Sequence, residues 1–243
     1  MCKRKSVGFS MTDHKVPIEM YEYVPKLLHD RVQLTGYQRQ AHYITSSNVA
    51  KILGKNRYCS KKMLLHNLTR KIDDNRVQLY NNRQRRGVEA QSTILKLFMK
   101  EILPRSGYVE YNKDDFNISK EHYFLATSID AITSCGHIIE IKNPGTFCRF
   151  VPDRHILQLL FNLWVTGQEY GYVVMATLSS YKAPYKNCFN RGEYLFTYTR
   201  VKRDREWERS VMPQIKDFLT HLWAYHTKHH KKLGRTLDET PGP

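Results

Sequence analysis

The segment YFLATSIDAITSCGHIIEIKNPG, Tyr123–Gly145, decides how this sequence is expected to fold. Two apolar runs in it, YFLATSIDAI and HIIEIKN, are separated by TSCG, which has the length and residue types of a hairpin turn. The second run carries an acid and a lysine, Glu140 and Lys142, inside a stretch that otherwise resembles a buried strand. Burying charges is costly unless they are paired, so a functional site is expected here first.

Strand geometry brings the charges of this hairpin together. Side chains alternate across a strand, so Glu140 and Lys142 share one face and the flanking isoleucines share the other. The same parity puts Ser128 and Asp130 on a common face of the preceding run. If the two faces coincide, the carboxylates can bind Mg²⁺ or Mn²⁺, and the ammonium can orient or help deprotonate an attacking water. The alternative is a surface hairpin with an ordinary solvated Glu–Lys pair.

Composition limits the classes of protein that the chain can belong to. Its 243 residues, 41% hydrophobic, predict one domain over residues 21–227, between a basic N-terminal segment, 1–20, and a basic tail, 228–243. The net charge of +16 indicates a polyanionic partner, with nucleic acid ahead of a membrane. Without an apolar spanning run or signal-peptide core, the protein is expected to be soluble and intracellular. Five cysteines without a close pair favour reduced thiols over disulfides or zinc.

Helices and strands follow each other in an α/β order. The apolar spacing predicts helices on both sides of the hairpin, then two strands, then a long closing helix. This order predicts an α/β fold with one central sheet flanked by helices. The predicted helical segments are TSSNVAKILG, KKMLLHNLTRKI, Arg85–Ile102, RHILQLLFNLWVTG and REWERSVMPQIKDFLTHLWAYHT, and the two further strands are YGYVVMATL and EYLFTYTRV.

The ordered set of motifs resembles a known family. Asp130, nine residues, and then Glu140-Ile141-Lys142 resemble the core of the PD-(D/E)xK nucleases. ITSSNVAKILG, RRG, TSID, IIEIKNPG and LQLLFNLWVTG occur in the order and style of the YqaJ-type viral recombinases, a lambda-exonuclease-like family, from about Arg39 to Met175. The resemblance implies a restriction-endonuclease-like core with a central mixed β-sheet. It also implies a metal-dependent 5′-to-3′ exonuclease on double-stranded DNA ends, acting in viral or mobile-element recombination or genome processing.

The resemblance assigns roles to individual residues. Asp130, Glu140 and Lys142 fall on the catalytic acids and lysine, and two Mg²⁺ or Mn²⁺ ions are expected. The metals would also take the backbone carbonyl of Ile141. The family glutamine falls on Gln158, where it would touch the attacking water, the lysine or the DNA. Without the resemblance, Gln158 would be interpreted as a satisfied core residue of an apolar helix.

A second set of positions corresponds to the 5′-phosphate pocket of the family. These positions are Arg39, Ser47 and Ser128. A helix start with Ser46, Ser47 and free backbone N–H groups suits a phosphate for independent reasons. The sequence equally permits either serine to be only an N-cap.

One position departs from the family pattern. The family places a glutamate four residues after a glycine on the helix before the hairpin, and four after Gly87 is Gln91. At ~100° per residue, Gln91 shares the apolar direction of the helix, whereas Glu89 lies nearly opposite. A glutamine carbonyl can hold a hard cation or its water but adds no negative charge, so weaker occupancy of one metal is expected. Glu89 would take the role instead if the helix began late enough.

The partners and the competing functions remain expectations. The resemblance is compatible with a single-strand annealing protein as partner and with a ring-like homo-oligomer. An endonuclease or an RNA-degrading relative would use the same site on another substrate. A nucleic-acid-binding protein derived from a nuclease but without catalysis is the third hypothesis, and Gln91 is the residue that prompts it.

Overall fold

The computed structural model describes residues 43–72, 82–111, 117–122, 124–179 and 188–232. The strands in these ranges are β1 Ile44–Thr45, β2 Tyr108–Glu110, β3 Asn117–Ile118, β4 Leu125–Thr127, β5 Ala131–Thr133, β6 Ile138–Lys142, β7 Tyr170–Leu178, β8 Cys188–Arg191 and β9 Tyr194–Lys202. The helices are α1 Ser46–Ile52, α2 Lys61–Ile72, α3 Asn82–Ile102, α4 Asp153–Thr166 and α5 Arg205–Lys232. The predicted α/β class is confirmed.

A mixed sheet of six strands forms the centre of the fold. Its order is β2-β5-β6-β7-β9-β8, with β6 and β7 parallel and the other neighbours antiparallel. A parallel pair requires a long crossover connection, which is supplied here by α4. Glu140 and Lys142 therefore lie on an interior strand, between β5 and β7.

The run YFLATSIDAI, predicted as one strand, forms two strands in different sheets. β4 pairs with β1 and β3 in a three-stranded sheet, while β5 pairs with β2 and β6 in the central sheet. Residues 128–130 connect them, so the predicted parity from β4 to Asp130 does not hold. All three residues of β4 are buried. Because β4 has no exposed face, its sequence shows no alternation of polar and apolar residues, and the end of the strand cannot be recognised from the sequence.

Helices cover both faces of the central sheet, and the side chains of β6 point alternately toward one face and the other. Ile139 and Ile141 face α3, which contributes Ile94, Leu95, Phe98 and Met99 to one apolar cluster. Ile138 faces α4 on the opposite side, and Leu159 and Leu163 belong to that second cluster. The site residues of β6 share the α4 face with Ile138, because their positions have the same parity.

A third apolar cluster joins α1, α2, α4 and α5. It includes Ile52, Leu68, Phe161 and Ile215. α5 contains Pro213 and continues as one helix through it. Within the ranges that the structure describes, no helix has both the length and the apolar character needed to cross a membrane.

The predicted terminal segments fall mostly outside the described residues. Residues 1–42, which include the N-terminal segment 1–20 and Arg39, are outside them, and so are residues 233–243. α5 continues to Lys232. Its C-terminal end therefore includes residues 228–232, which were predicted to belong to the C-terminal tail.

Gly171 gives a testable measure of packing between the sheet and α4. A Cβ at this position would lie 2.8 Å from Leu159 Cδ1 and 2.9 Å from the backbone oxygen of Ile138. We expect Gly171→Ala to lower the free energy of unfolding by about 1–3 kcal/mol, because the β6 backbone cannot move away freely. Urea unfolding followed by circular dichroism measures the change.

The matched control for that substitution is Gly87→Ala on α3. A Cβ at Gly87 would meet no atom within 4 Å. Alanine also forms helix more readily than glycine, so this variant should be as stable as the parent chain or about 1 kcal/mol more stable. Equal stability of Gly171→Ala and the parent chain would contradict the packing of α4 on this strand.

Candidate active site

The β5–β6 hairpin brings the predicted acids together. Ala131 pairs with Ile139 and Ile132 with Ile138, and one further step along the strands sets Asp130 opposite Glu140. Gly136 in the connecting turn has a φ of +76°, a conformation that favours glycine. The predicted turn TSCG is thus confirmed, and its geometry fixes the register that aligns the acids.

Asp130 is held at the junction of β6 and α3. Its Oδ2 accepts a hydrogen bond from the backbone N–H of Ile141 at 2.6 Å, and its Oδ1 accepts one from Gln91 Nε2 at 3.2 Å. The N–H and C=O of one strand residue project toward the same neighbouring strand. The Ile141 carbonyl is therefore directed to the same side of β6 as Asp130, as a shared ligand set would require.

Gln91, and not Glu89, faces the site. Gln91 is 9% exposed and contacts Asp130, whereas Glu89 lies on the exposed side of α3. The predicted inward direction of Gln91 is confirmed. Glu89 points away from the site because α3 already begins at Asn82 and has a fixed phase by residue 89.

Glu140 is almost completely buried and is surrounded by donors. It is 2% exposed. Its Oε1 accepts hydrogen bonds from Lys142 Nζ and, at 2.6 Å, from Gln158 Nε2, and its Oε2 accepts one from Asn162 Nδ2 at 2.7 Å. A solvated surface pair, the alternative raised by the sequence, is thus excluded. The Glu140 carboxylate is instead a buried group whose charge is offset by an ammonium and two amides.

Lys142 carries a positive charge in this setting. Burial lowers the pKa of Lys142, but the Glu140 and Asp130 carboxylates outweigh burial, and the net pKa is raised above its ordinary value. Its side chain is 26% exposed, so the ammonium also reaches the surface of the site. Lys142 is therefore a hydrogen-bond donor and a cation at neutral pH.

Two residues of the site were missed by the sequence analysis. Asn162 is fully buried and contacts Glu140, and the ring of His155 forms a hydrogen bond with Gln158. Burial, with the nearby cations Lys142 and Arg154, lowers the pKa of His155 to about 3, so the ring is neutral at pH 7. A sequence signal was present, because residues 155, 158 and 162 follow the three- and four-residue spacing of one helix face.

The predicted 5′-phosphate residues lie in two segments. Ser47 is exposed on the first turn of α1, and its hydroxyl lies 3.0 Å from that of Thr45. Ser128 is partly buried in the connection between β4 and β5, two residues before Asp130. The N-cap residue of α1 is Thr45, whose side chain makes no capping hydrogen bond. The alternative in which Ser46 or Ser47 is only an N-cap is therefore wrong. Arg39 lies outside the described residues, so its place in this pocket stays a prediction.

The oxygen donors at this end of the hairpin fit a hard divalent cation. Asp130 and Glu140 supply carboxylates, and Ile141 supplies a carbonyl directed to the same side. Among the residues that the structure describes, no group of three or more His, Cys, Asp or Glu side chains is arranged to hold a metal.

These features define a restriction-endonuclease-like fold with a PD-(D/E)xK core. An interior strand of a mixed sheet carries the Glu-Ile-Lys triplet, a hairpin aligns Asp130 with it, and helices cover both faces. The family model of the YqaJ-like viral recombinase domain matches residues 37–169, which is more than half of the 243 residues. The chain therefore belongs to the YqaJ-like viral recombinase domain family, as the sequence resemblance predicted.

Solved structures of exonucleases share this fold. An alkaline exonuclease from Laribacter hongkongensis, LHK-Exo, is 18% identical, with a TM-score of 0.62 over 82% of this chain and 97% of that chain. Its complex with dAMP has a TM-score of 0.60 at 16% identity, over 82% and 96%. A phage related exonuclease from Haemophilus somnus 129PT has a TM-score of 0.54 at 13% identity, over 79% and 96%. No curated protein sequence is significantly similar to this chain.

Proposed function

We propose that this chain is a metal-dependent deoxyribonuclease that degrades double-stranded DNA from its ends in the 5′-to-3′ direction. The observation that carries the proposal is the convergence of Asp130, Glu140 and Lys142 at the end of the β5–β6 hairpin. Membership of a viral recombinase family and a fold shared with exonucleases support it. The proposed setting is recombination or genome processing in a virus or mobile element.

The residues of the site divide the work of phosphodiester hydrolysis. Asp130, Glu140 and the Ile141 carbonyl would hold Mg²⁺ or Mn²⁺, and a second such ion would depend on the amide of Gln91. A bound ion of this kind supplies Lewis acidity and an activated water. Lys142, kept cationic by its two acidic neighbours, orients a water and stabilises negative charge at the phosphate. Gln158 connects Glu140 with the neutral ring of His155 and keeps both in place.

A 5′-phosphate pocket beside this centre is the second part of the proposal. Ser47 on the first turn of α1 and Ser128, two residues before Asp130, present hydroxyl groups that can donate to phosphate oxygens. Arg39 is proposed to supply the charge. A terminal phosphate held there would place the first phosphodiester of the strand at the acids, which is the requirement for digestion from a 5′ end.

A group of arginine and aromatic side chains near α4 supports DNA as the partner. Tyr58 is 64% exposed, and the guanidinium carbons of Arg57 and Arg154 lie 4.7 and 5.9 Å from the centre of its ring. Arg154 also acts electrostatically on Lys142, so this group adjoins the site. Arginine binds phosphates and stacks on planar rings, and exposed aromatic rings stack on bases. The proposed partners are duplex DNA and, as the family suggests, a single-strand annealing protein and further copies of this chain.

Arg57 provides a test of DNA contact that does not require catalysis. We expect Arg57→Gln to weaken duplex binding and to reduce the slope of log affinity against log salt by about 1, because one phosphate contact is lost. Fluorescence anisotropy with EDTA present measures both quantities. Arg209→Gln, at an exposed position of α5, removes the same charge and should leave the slope unchanged. Equal slopes for Arg57→Gln and the parent chain would place the DNA elsewhere.

The function itself is tested with labelled nucleic acids. End-labelled linear duplexes with a 5′-phosphate or a 5′-hydroxyl, closed circular DNA and RNA are each incubated with Mg²⁺, Mn²⁺ or EDTA. The proposal predicts metal-dependent release of mononucleotides from the 5′ ends of linear duplex, fastest with a 5′-phosphate. Cleavage of closed circles or of RNA in preference to linear duplex would instead show an endonuclease or an RNA-degrading enzyme.

A second candidate function follows from the hydrogen bond between Gln91 and Asp130. An amide in place of a third acid reduces the negative charge available to a metal, so a DNA-binding protein without catalysis is the competing proposal. It predicts salt-sensitive duplex binding and no hydrolysis with either metal. The same labelled-duplex experiment distinguishes the two functions.

A further inference from the structure

A buried chain of polar side chains leads from Glu140 into the core. Asn162 on α4 and Thr127 on β4 are both 0% exposed, and Ser46 at the start of α1 is 5% exposed. Thr127 Oγ1 contacts Asn162 Oδ1 and lies 3.1 Å from Ser46 Oγ, while Asn162 Nδ2 lies 2.7 Å from Glu140 Oε2. Four elements of the fold thus meet through one hydrogen-bonded chain.

The chemistry of these groups fixes the direction of the two hydrogen bonds that join Thr127, Asn162 and Glu140. The Glu140 carboxylate only accepts, so Asn162 must present its NH₂ group to Glu140 and its carbonyl to Thr127. The Asn162 carbonyl only accepts, so the single hydroxyl proton of Thr127 is donated to Asn162, and Ser46 is a second acceptor within reach of the same hydroxyl. The donors therefore point from Thr127 through Asn162 toward Glu140. Such a chain strengthens its own bonds, because each donor polarises the next.

The two oxygens of Glu140 consequently have different surroundings. Oε2 is committed to Asn162 in the core, whereas Oε1 contacts Lys142 and Gln158 on the more exposed side. We propose that Asn162, held by Thr127, is a positioning residue that fixes the plane of the Glu140 carboxylate and directs Oε1 to the divalent cation. This inference rests on the proposed function, because it assigns Glu140 as a metal ligand.

The structure gives Asn162 no other evident role. A buried amide in an apolar helix costs free energy unless all its polar atoms are satisfied, and here they are satisfied by Glu140 and Thr127. An apolar residue at this position would leave Glu140 Oε2 and the buried Thr127 hydroxyl without this partner. The amide of Asn162 therefore serves to hold Glu140 through its hydrogen bond to Oε2.

The test compares Asn162→Leu with a pair of substitutions at Thr127. Mn²⁺ alone is titrated into the full chain by calorimetry, and kcat and KM are measured on a linear duplex with a 5′-phosphate. We expect Asn162→Leu to weaken Mn²⁺ binding by about 10- to 100-fold and to lower kcat comparably, as loss of a group that orients a metal ligand usually does. KM for the duplex should change little, since Asn162 does not reach the surface.

Two substitutions at Thr127 distinguish an effect on the position of Asn162 from an effect on core packing. Thr127→Val removes the hydroxyl while keeping the shape, and it should weaken Mn²⁺ binding in the same direction as Asn162→Leu. Thr127→Ser keeps the hydroxyl and should retain the parent affinity. Thr166→Val is the matched control, because the Thr166 hydroxyl bonds to the backbone oxygen of Asn162, 2.7 Å away, and not to its side chain. Thr166→Val should bind Mn²⁺ like the parent chain.

Each outcome decides the inference. Parent-like Mn²⁺ affinity in both Asn162→Leu and Thr127→Val overturns it, and so does equal weakening in Thr127→Ser and Thr127→Val. If Asn162→Leu does not fold, the Thr127 pair alone decides. Hydrolysis by the parent chain with unaffected variants overturns only this inference, whereas a parent chain that neither binds Mn²⁺ nor hydrolyses DNA overturns the proposed function with it.

Discussion

Lys142→Met is expected to lower the rate of duplex hydrolysis by about 10²- to 10³-fold, the usual cost of removing a donor that stabilises developing charge. Lys142 is the cation that reaches the surface of the site beside both acids, and its raised pKa keeps it charged at neutral pH. Methionine retains the aliphatic length of lysine and loses only the ammonium. Single-turnover hydrolysis of an end-labelled duplex at saturating Mn²⁺ measures the rate.

Metal binding distinguishes loss of catalysis from loss of structure in this variant. The ammonium repels a cation at Glu140, so Lys142→Met should bind Mn²⁺ as tightly as the parent chain or more tightly. Lys96→Met removes the same charge from an exposed position of α3 and should leave the rate unchanged. An unchanged rate in Lys142→Met would show that Lys142 takes no part in hydrolysis. Loss of both Mn²⁺ binding and activity would show that Lys142 has a structural role.

The local pattern of the hairpin was sufficient to predict that Glu140 and Lys142 share one face and that Asp130 lies near them. Side-chain alternation put Glu140 and Lys142 on one face, and the turn residues fixed a register that aligns Asp130 with Glu140. The helical phase of α3 predicted that Gln91 points inward. These features depend on neighbours in sequence, which is why they can be inferred without a structure.

What the sequence did not predict depends on contacts between distant segments. The division of YFLATSIDAI into β4 and β5 arises because β4 pairs with β1 and β3, which are two residues long and carry little pattern of their own. Helical spacing places Asn162 on the same face of α4 as Gln158, but its contact with Glu140 is evident only once α4 is packed on β6. An isolated asparagine in an apolar helix does not reveal which buried group it satisfies.

Gln91→Glu is expected to strengthen Mn²⁺ binding by about tenfold, or roughly 1.4 kcal/mol. The substitution adds a full negative charge within hydrogen-bonding distance of Asp130, where the parent chain has an amide. Two unit charges 4 Å apart interact by roughly 4 kcal/mol at an effective dielectric constant of ~20, and desolvation of the new carboxylate offsets part of this. Calorimetric titration of Mn²⁺ into the full chain measures the affinity.

Glu89→Gln is the matched control for that substitution. Glu89→Gln replaces a carboxylate by an amide, the reverse of Gln91→Glu, two residues away on the exposed side of α3. If Glu89 does not hold metal, Glu89→Gln should bind Mn²⁺ with the parent affinity. Weaker Mn²⁺ binding in Glu89→Gln, together with no gain in Gln91→Glu, would return the role of the family glutamate to Glu89.

The order of thermal stability of Gln91→Glu and the parent chain should reverse between the metal-free and metal-bound states. In EDTA, Gln91→Glu loses the hydrogen bond to Asp130 and sets two carboxylates against each other, so it should unfold at a lower temperature than the parent chain. In excess Mn²⁺ it should unfold at a higher temperature, because a ligand that binds the folded state more tightly stabilises it more. Simple damage to packing would lower stability under both conditions. A reversal of this order therefore requires that residue 91 face a bound cation. If the order does not reverse, Gln91 serves only the structure, through its hydrogen bond to Asp130.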